Sequence, residues 1–270
     1  MLSEKTFTFI NLRSCGGYSV MKTIPDNINI QKGPSNNIPT APYPASSVLL
    51  TRQGGDRPEV FMMKRSLKTN FGGAWVFPGG KIDKTDDLNI LGDHVVGITE
   101  EKANRILGVK EGGLRYWVGA VRECFEESGV LLAYRKTGVL FDDMNSGEQR
   151  VLSRFRSLLN NGEKVLSRMC QSLEIRLALD RLVYLSHWTT PTSEFRRYST
   201  RFFVVAAPKF QNAFHDGSEM VDSIWITPES AIDRGGQADF PLMLPTRENL
   251  KLISGFKDNE ALIRSKEKVL

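Results

Sequence analysis

The chain runs to 270 residues with 40% hydrophobic content, enough for one large buried core or two modest ones. Its net charge of +5 and pI near 9.1 come from scattered Lys and Arg rather than a basic tract interleaved with aromatics, so nucleic acid is not the expected partner, although a mildly positive field suits capture of a polyanion. Cys15, Cys124 and Cys170 are too dispersed for a disulfide framework or zinc knuckle, His94, His187 and His215 show no metal spacing, and no apolar run reaches the ~18 residues of a membrane span.

Residues 1–40 are polar and broken by Gly16-Gly17, Pro25, Gly33-Pro34 and Pro39, which reads as a loosely ordered extension with Met21 as an alternative start. There is no Arg-rich amphipathic leader, and Lys268-Val269-Leu270 is not a peroxisomal address, so the cytoplasm is the expected compartment. Strands are predicted over 45–51 and 59–64, around the turn Gly54-Gly55-Asp56. The run Trp75-Val76-Phe77 enters Pro78-Gly79-Gly80, a turn bare enough for its backbone to approach a ligand. Residues 88–115 hold Gly92, Gly97, Gly108, Gly112 and Gly113, predicting a loop outside the core with one short helix near 100–107. A helix follows over 116–128 and a strand over 130–134. Two helices broken at Asn160-Asn161-Gly162 make residues 147–180 an added helical subregion. Strands over 182–188, 200–207 and 221–226, a short helix from Pro228 and another over 246–253 complete one domain spanning 41–257, with 258–270 as a tail.

The chemistry concentrates in Arg122-Glu123-Cys124-Phe125-Glu126-Glu127-Ser128-Gly129-Val130. At about 100° per residue, Glu123, Glu126 and Glu127 share one helical face, while Trp117, Val121, Cys124 and Phe125 point to a core. Crowded carboxylates repel one another unless a cation sits among them, and an all-oxygen cluster suits Mg²⁺ or Mn²⁺, which also take phosphate oxygens. A solvated acidic face is the plainer alternative. Against it stand Arg122, whose guanidinium can hold and orient a carboxylate, and Gly129, placed to end the helix in a left-handed conformation.

Together with the Pro-Gly-Gly turn, this segment resembles the Nudix hydrolases, whose box reads G-x5-E-x7-R-E-U-x-E-E-x-G-U with U bulky and apolar. Gly80 matches the opening glycine, and Arg122, Glu123, Glu126, Glu127, Gly129 and Val130 match the second half. Asp86 stands at the first glutamate, Cys124 at an apolar position, and residues 87–121 number 35 where the pattern has seven. An interruption there resembles the branch that includes the peroxisomal coenzyme A diphosphatase of mammals. Trp188-Thr189-Thr190-Pro191, Arg196-Arg197-Tyr198-Ser199-Thr200-Arg201-Phe202-Phe203 and Pro241-Leu242-Met243-Leu244-Pro245-Thr246 resemble further signatures of that branch, and Arg65-Ser66 with Phe77-Pro78-Gly79-Gly80 matches part of its coenzyme A signature.

The resemblance implies a Nudix-type α/β/α sandwich with a mixed sheet, a loop inserted in the box and an added helical subregion. It implies Mg²⁺ or Mn²⁺ held by Glu123, Glu126, Glu127 and the Gly80 carbonyl, with Arg122 orienting the carboxylates. Glu219, in the loop before a late strand, is the candidate base, with a solvated loop carboxylate as the alternative. Arg65, Arg196 and Arg197 are candidate phosphate contacts, although an Arg pair beside a strand also serves as a solvated edge. Phe195 and Tyr198 either stack on a base or pack the strand edge, while Trp188, Trp225 and Cys124 read as core. The expected partner is a nucleotide-diphosphate substrate, with coenzyme A or an acyl-coenzyme A favoured; a homodimer stays open. ADP-ribose, dinucleotide polyphosphates and capped RNA ends are alternative substrates, and a catalytically silent ligand-binding module is the alternative class.

Overall fold

The computed structural model describes residues 40–194 and 196–267, together with the backbone of two short paired strands, β1 (Thr6–Phe7) and β2 (Val20–Met21). The rest of the expected extension, and Phe195, lie outside the described residues. The main sheet contains β3 (Tyr43–Gln53), β4 (Pro58–Arg65), β5 (Trp75–Val76), β6 (Gly79–Lys81), β10 (Val183–Thr189), β11 (Tyr198–Ala206) and β12 (Met220–Ile226). Its order is β10-β11-β3-β4-β12, with β6 on β3 and β5 on β4. The β11–β3 pair is parallel and the other pairs are antiparallel, so the sheet is mixed. A smaller sheet joins β7 (Val95–Val96), β8 (Ala133–Arg135) and β9 (Ile175–Ala178) in the order β7-β9-β8.

The helices are α1 (Leu88–Leu91), α2 (Glu100–Leu107), α3 (Leu114–Ser128), α4 (Ser146–Asn160), α5 (Leu166–Leu173), α6 (Pro228–Arg234), α7 (Leu244–Ile253) and α8 (Asn259–Glu267). Alternate residues of the central strands feed two cores, because successive side chains point to opposite faces of a sheet. Val48, Leu50, Phe61, Met63, Phe203 and Val205 pack toward α3, whereas Leu49, Val60, Met62, Phe202 and Val204 pack with residues of α6, α7 and α8. This is the α/β/α sandwich with a mixed sheet that the resemblance implied.

Three expectations need correction. The insert at 88–115 is not peripheral. Its helix α2 lies where expected, but Leu91, Ala103, Leu107 and Leu114 are buried in the α3-side core, and the last two insert residues already belong to α3. Residues 258–267, expected as a tail, form part of the packed domain: α8 packs against β3, β4, β10 and β11, with Leu262 fully buried. The helical subregion contains its two helices, but residues 175–178 near its end form strand β9.

The insert also caps the acidic helix. Position Gly113 has no side chain to cap α3, and the Glu100 carboxylate accepts from the backbone N–H of Gly112 (2.6 Å), Gly113 (3.2 Å) and Leu114 (3.1 Å). The Leu114 N–H is an orphan donor that a helix start leaves unpaired, the Gly113 N–H is shared with Asn104 Oδ1 at 2.8 Å, and a carboxylate there also meets the positive end of the helix dipole. Glu100→Ala should therefore cost about 1–2 kcal/mol, read as a lower urea midpoint at unchanged slope.

Candidate functional site

Arg122 organises the acidic cluster. It is 7% exposed and all five of its N–H donors are engaged. Nε donates to Asp86 Oδ1 at 2.8 Å, and Nη2 donates to Asp86 Oδ2 at 3.0 Å and to the Lys81 carbonyl at 2.7 Å. Nη1 donates to Glu123 at 2.9 Å and to Glu126 at 3.0 Å. Asp86, fully buried, also accepts the Asp83 N–H at 2.7 Å. The shorter carboxylate at the first box position thus grips Arg122 across the insert, joining the two halves of the box.

Glu127 is engaged differently, accepting the Gly79 N–H at 2.7 Å. A Cβ added at Gly80 would lie 2.6 Å from the Glu123 carboxylate, so a larger residue there would have to displace that side chain. Helix α3 ends at Gly129 in the left-handed region at φ 75°, with its N–H bonded to the Phe125 carbonyl.

One guanidinium stands against four carboxylates, and the electrostatics show the surplus. Burial pushes the Glu123 carboxyl up to about 7, with Arg122 opposing the shift and Glu126 adding to it. Burial, with Glu123 beside it, holds Glu127 well above the ordinary carboxylate range, and burial raises Glu126 against the pull of Arg122. For Arg122, burial disfavours the charge, but Glu123, Asp86 and Glu126 more than offset it and raise the pKa. Glu123 has a folded pKa of about 7 against an ordinary 4.5, so it favours the folded state at low pH. That contribution is complete below about 4.5 and disappears as pH rises through about 7. The cation-free protein should therefore lose Tm between about pH 5 and about pH 8, and Mg²⁺ should restore more of it at the higher value. A melting series at both pH values with and without Mg²⁺ reads the effect.

The cluster forms part of the wall of a cavity of about 760 Å³. Gly79, Gly80, Glu123, Glu126 and Glu127 meet there with Arg65, Arg196, Glu219 and Tyr198. Arg65 Nη2 lies 3.6 Å from Glu219, and its Nε donates to the Asn70 carbonyl. The Asp216 carboxylate holds the Glu219 loop, accepting the N–H of Ser218, Glu219 and Met220. Arg197 is not part of this wall. Its Nε donates to the Thr190 carbonyl and Nη1 to the Thr40 carbonyl, so the turn between β10 and β11 has captured it. Trp188 and Trp225 are only partly buried: Trp188 lines the cavity, and Trp225 packs against Phe61 beneath Arg52. Cys124 is fully buried, and burial pushes its thiol up to about 12, which makes it inert packing.

Several wall residues were not among the site residues expected from the sequence. Lys68, Thr69 and Phe71 come from the turn between β4 and β5, Leu159 and Gly162 from the end of α4, and Met243 and Pro245 from the start of α7. Phe71 has φ 58°, unusual for a non-glycine residue; the Gly72-Gly73 pair beside it was the available signal of a tight turn.

The donor set fits a hard divalent cation: of three desolvated carboxylates, Glu123 and Glu126 share one guanidinium, Glu127 has only the Gly79 N–H, and a bare glycine backbone lies against Glu123. Among the described residues, no three Asp, Glu, His or Cys side chains already converge as ligands. Glu123 and Glu126 turn to Arg122, and Glu127 turns to Gly79.

A family profile, the NUDT19 Nudix domain, matches residues 96–245. The chain is 27% identical to the acyl-coenzyme A diphosphatase NUDT19 of Xenopus laevis over 65% of this chain and 54% of the relative. It is 28% identical to the putative nudix hydrolase 7 of Caenorhabditis elegans over 79% of this chain and 61% of the relative. The match thus spans between half and two thirds of these relatives' length. A Nudix hydrolase structure from Alicyclobacillus acidocaldarius superposes with a TM-score of 0.67 at 21% identity, covering 83% of this chain and 96% of that one, which shows the shared fold.

Proposed function

The chain belongs to the NUDT19 Nudix domain family, and from that premise we propose that it is a metal-dependent hydrolase of the diphosphate bond in a nucleoside diphosphate linked to another moiety, with coenzyme A or an acyl-coenzyme A as favoured substrate. The observation that carries this is the cluster of buried Glu127 and partly buried Glu123 and Glu126, backed by the single guanidinium of Arg122, on the wall of a cavity that also presents Arg65 and Arg196. The activity named for the Xenopus laevis relative supports the choice of substrate.

Glu123, Glu126, Glu127 and the Gly80 carbonyl would hold Mg²⁺ or Mn²⁺. Such an ion neutralises diphosphate oxygens and lowers the pKa of a bound water. Arg122, fixed by Asp86 and the Lys81 carbonyl, keeps Glu123 and Glu126 on the cavity side of α3. Arg65 and Arg196 meet the anionic substrate, and Arg65 also holds Glu219 within reach of the cavity, where Glu219 takes the proton from the attacking water. Cys124 and Cys170 stand free and buried, which supports a reducing compartment such as the cytoplasm.

The test is phosphate-bond cleavage with Mg²⁺ or Mn²⁺ across coenzyme A, acyl-coenzyme A, ADP-ribose, a dinucleotide polyphosphate and capped RNA. Release of 3′,5′-ADP and 4′-phosphopantetheine is expected. Preferred cleavage of another compound would move the substrate assignment. Binding without turnover of any of them would make the chain a ligand-binding module.

A further inference from the structure

We propose that Arg156, on α4 of the helical subregion, is a positioning residue that couples the glutamate-bearing helix α3 to the loop carrying Glu219. The inference rests on the roles given above to Glu126, Glu127 and Glu219. Arg156 reaches the end of α3 from another element and donates to the carbonyls of two of its glutamates. Nε meets Glu126 O at 2.9 Å and Nη2 meets Glu127 O at 2.8 Å. The same Nη2 donates to Phe214 O at 2.7 Å, in the segment leading to Glu219.

The carbonyls in the last turn of a helix have no partner within it, and a cation there also faces the negative end of the dipole. Position Gly129 is shaped for this contact: a Cβ there would lie 2.8 Å from Arg156 Nη1. The loop is tied a second time by the Phe214 N–H, which donates to the Ser128 carbonyl at 2.8 Å. From Phe214 the chain runs to Asp216, whose carboxylate fixes the N–H groups of Ser218, Glu219 and Met220, and Glu219 then faces Arg65. Arg156 itself does not line the cavity, so it acts through these groups and not on the substrate.

A planar fork with fixed donor directions can hold two carbonyls on one element and one on another, which the single point charge of a lysine cannot reproduce. Displacing a reacting group by about an ångström costs up to roughly a hundredfold in rate. Arg156→Lys should therefore lower kcat about tenfold, with KM within about twofold of the parent's and little change in Tm. Arg156→Ala should lose more, and guanidinium chloride far below denaturing concentration should return part of the lost kcat where equal sodium chloride does not.

Parent-like kcat in Arg156→Lys, or no guanidinium recovery in folded Arg156→Ala, overturns the proposal. Should the parent cleave no diphosphate, the reading of the site fails separately, and hydrogen exchange then tests the link. Faster exchange at residues 214–220 in Arg156→Ala, with the sheet unchanged, supports it; parent-like exchange there overturns it.

Discussion

Glu127→Gln is expected to lower kcat by roughly a thousandfold, because the loss of one ligand charge removes several kcal/mol of transition-state stabilisation. The substitution is a clean test, because the amide keeps an oxygen to accept the Gly79 N–H now held at 2.7 Å. It also removes a carboxyl that burial and Glu123 already hold above its ordinary range, so the cation-free Tm should stay level or rise. The rise in Tm that Mg²⁺ gives the parent should shrink. Parent-like turnover would show that Glu127 holds no ion.

The second large effect belongs to Asp86. Asp86→Ala leaves two guanidinium N–H groups of Arg122 and the Asp83 N–H without their acceptor in a fully buried place. Breaking a buried ion pair from one side costs about 3–5 kcal/mol. Glu123 and Glu126 still face Arg122, which places the expected cost near the lower bound, a fall in Tm on the order of 10 °C. Activity should fall with it, because Glu123 and Glu126 lose their fixed guanidinium. A variant melting within a degree or two of the parent would show that the two halves of the box are joined elsewhere.

How much of this was legible in the sequence follows from the range of each signal. Glu123, Glu126 and Glu127 were readable because helical periodicity alone puts them on one face, and the central strands because their apolar runs sit between turn residues. The Asp86–Arg122 grip was not readable, since the partners lie 36 residues apart and meet only through the packing of α3 on the box loop. The insert was misjudged because its glycines mark turns, while Leu91, Ala103 and Leu107 sit on two short helices that share no single period. Helix α8 was missed because its apolar residues, Ala261, Leu262 and Ile263, are consecutive and do not recur at helical spacing, too weak a stripe to announce a packed face. Arg197 looked like a phosphate contact until the turn after β10 supplied the Thr190 carbonyl.

The parallel pairing of β3 with β11 has a consequence for biosynthesis. Strand β3 carries β6, and with it Gly79 and Gly80, along one flank, while residues 43–51 register against 198–206 on the other. A nascent chain therefore cannot close this cavity until residues 198–206 have left the ribosome, and contacts between such distant stretches form slowly. Fragments stalled before β11 would leave the N–H and C=O groups along that edge of β3 unpaired and should fall to chaperones or proteases rather than persist.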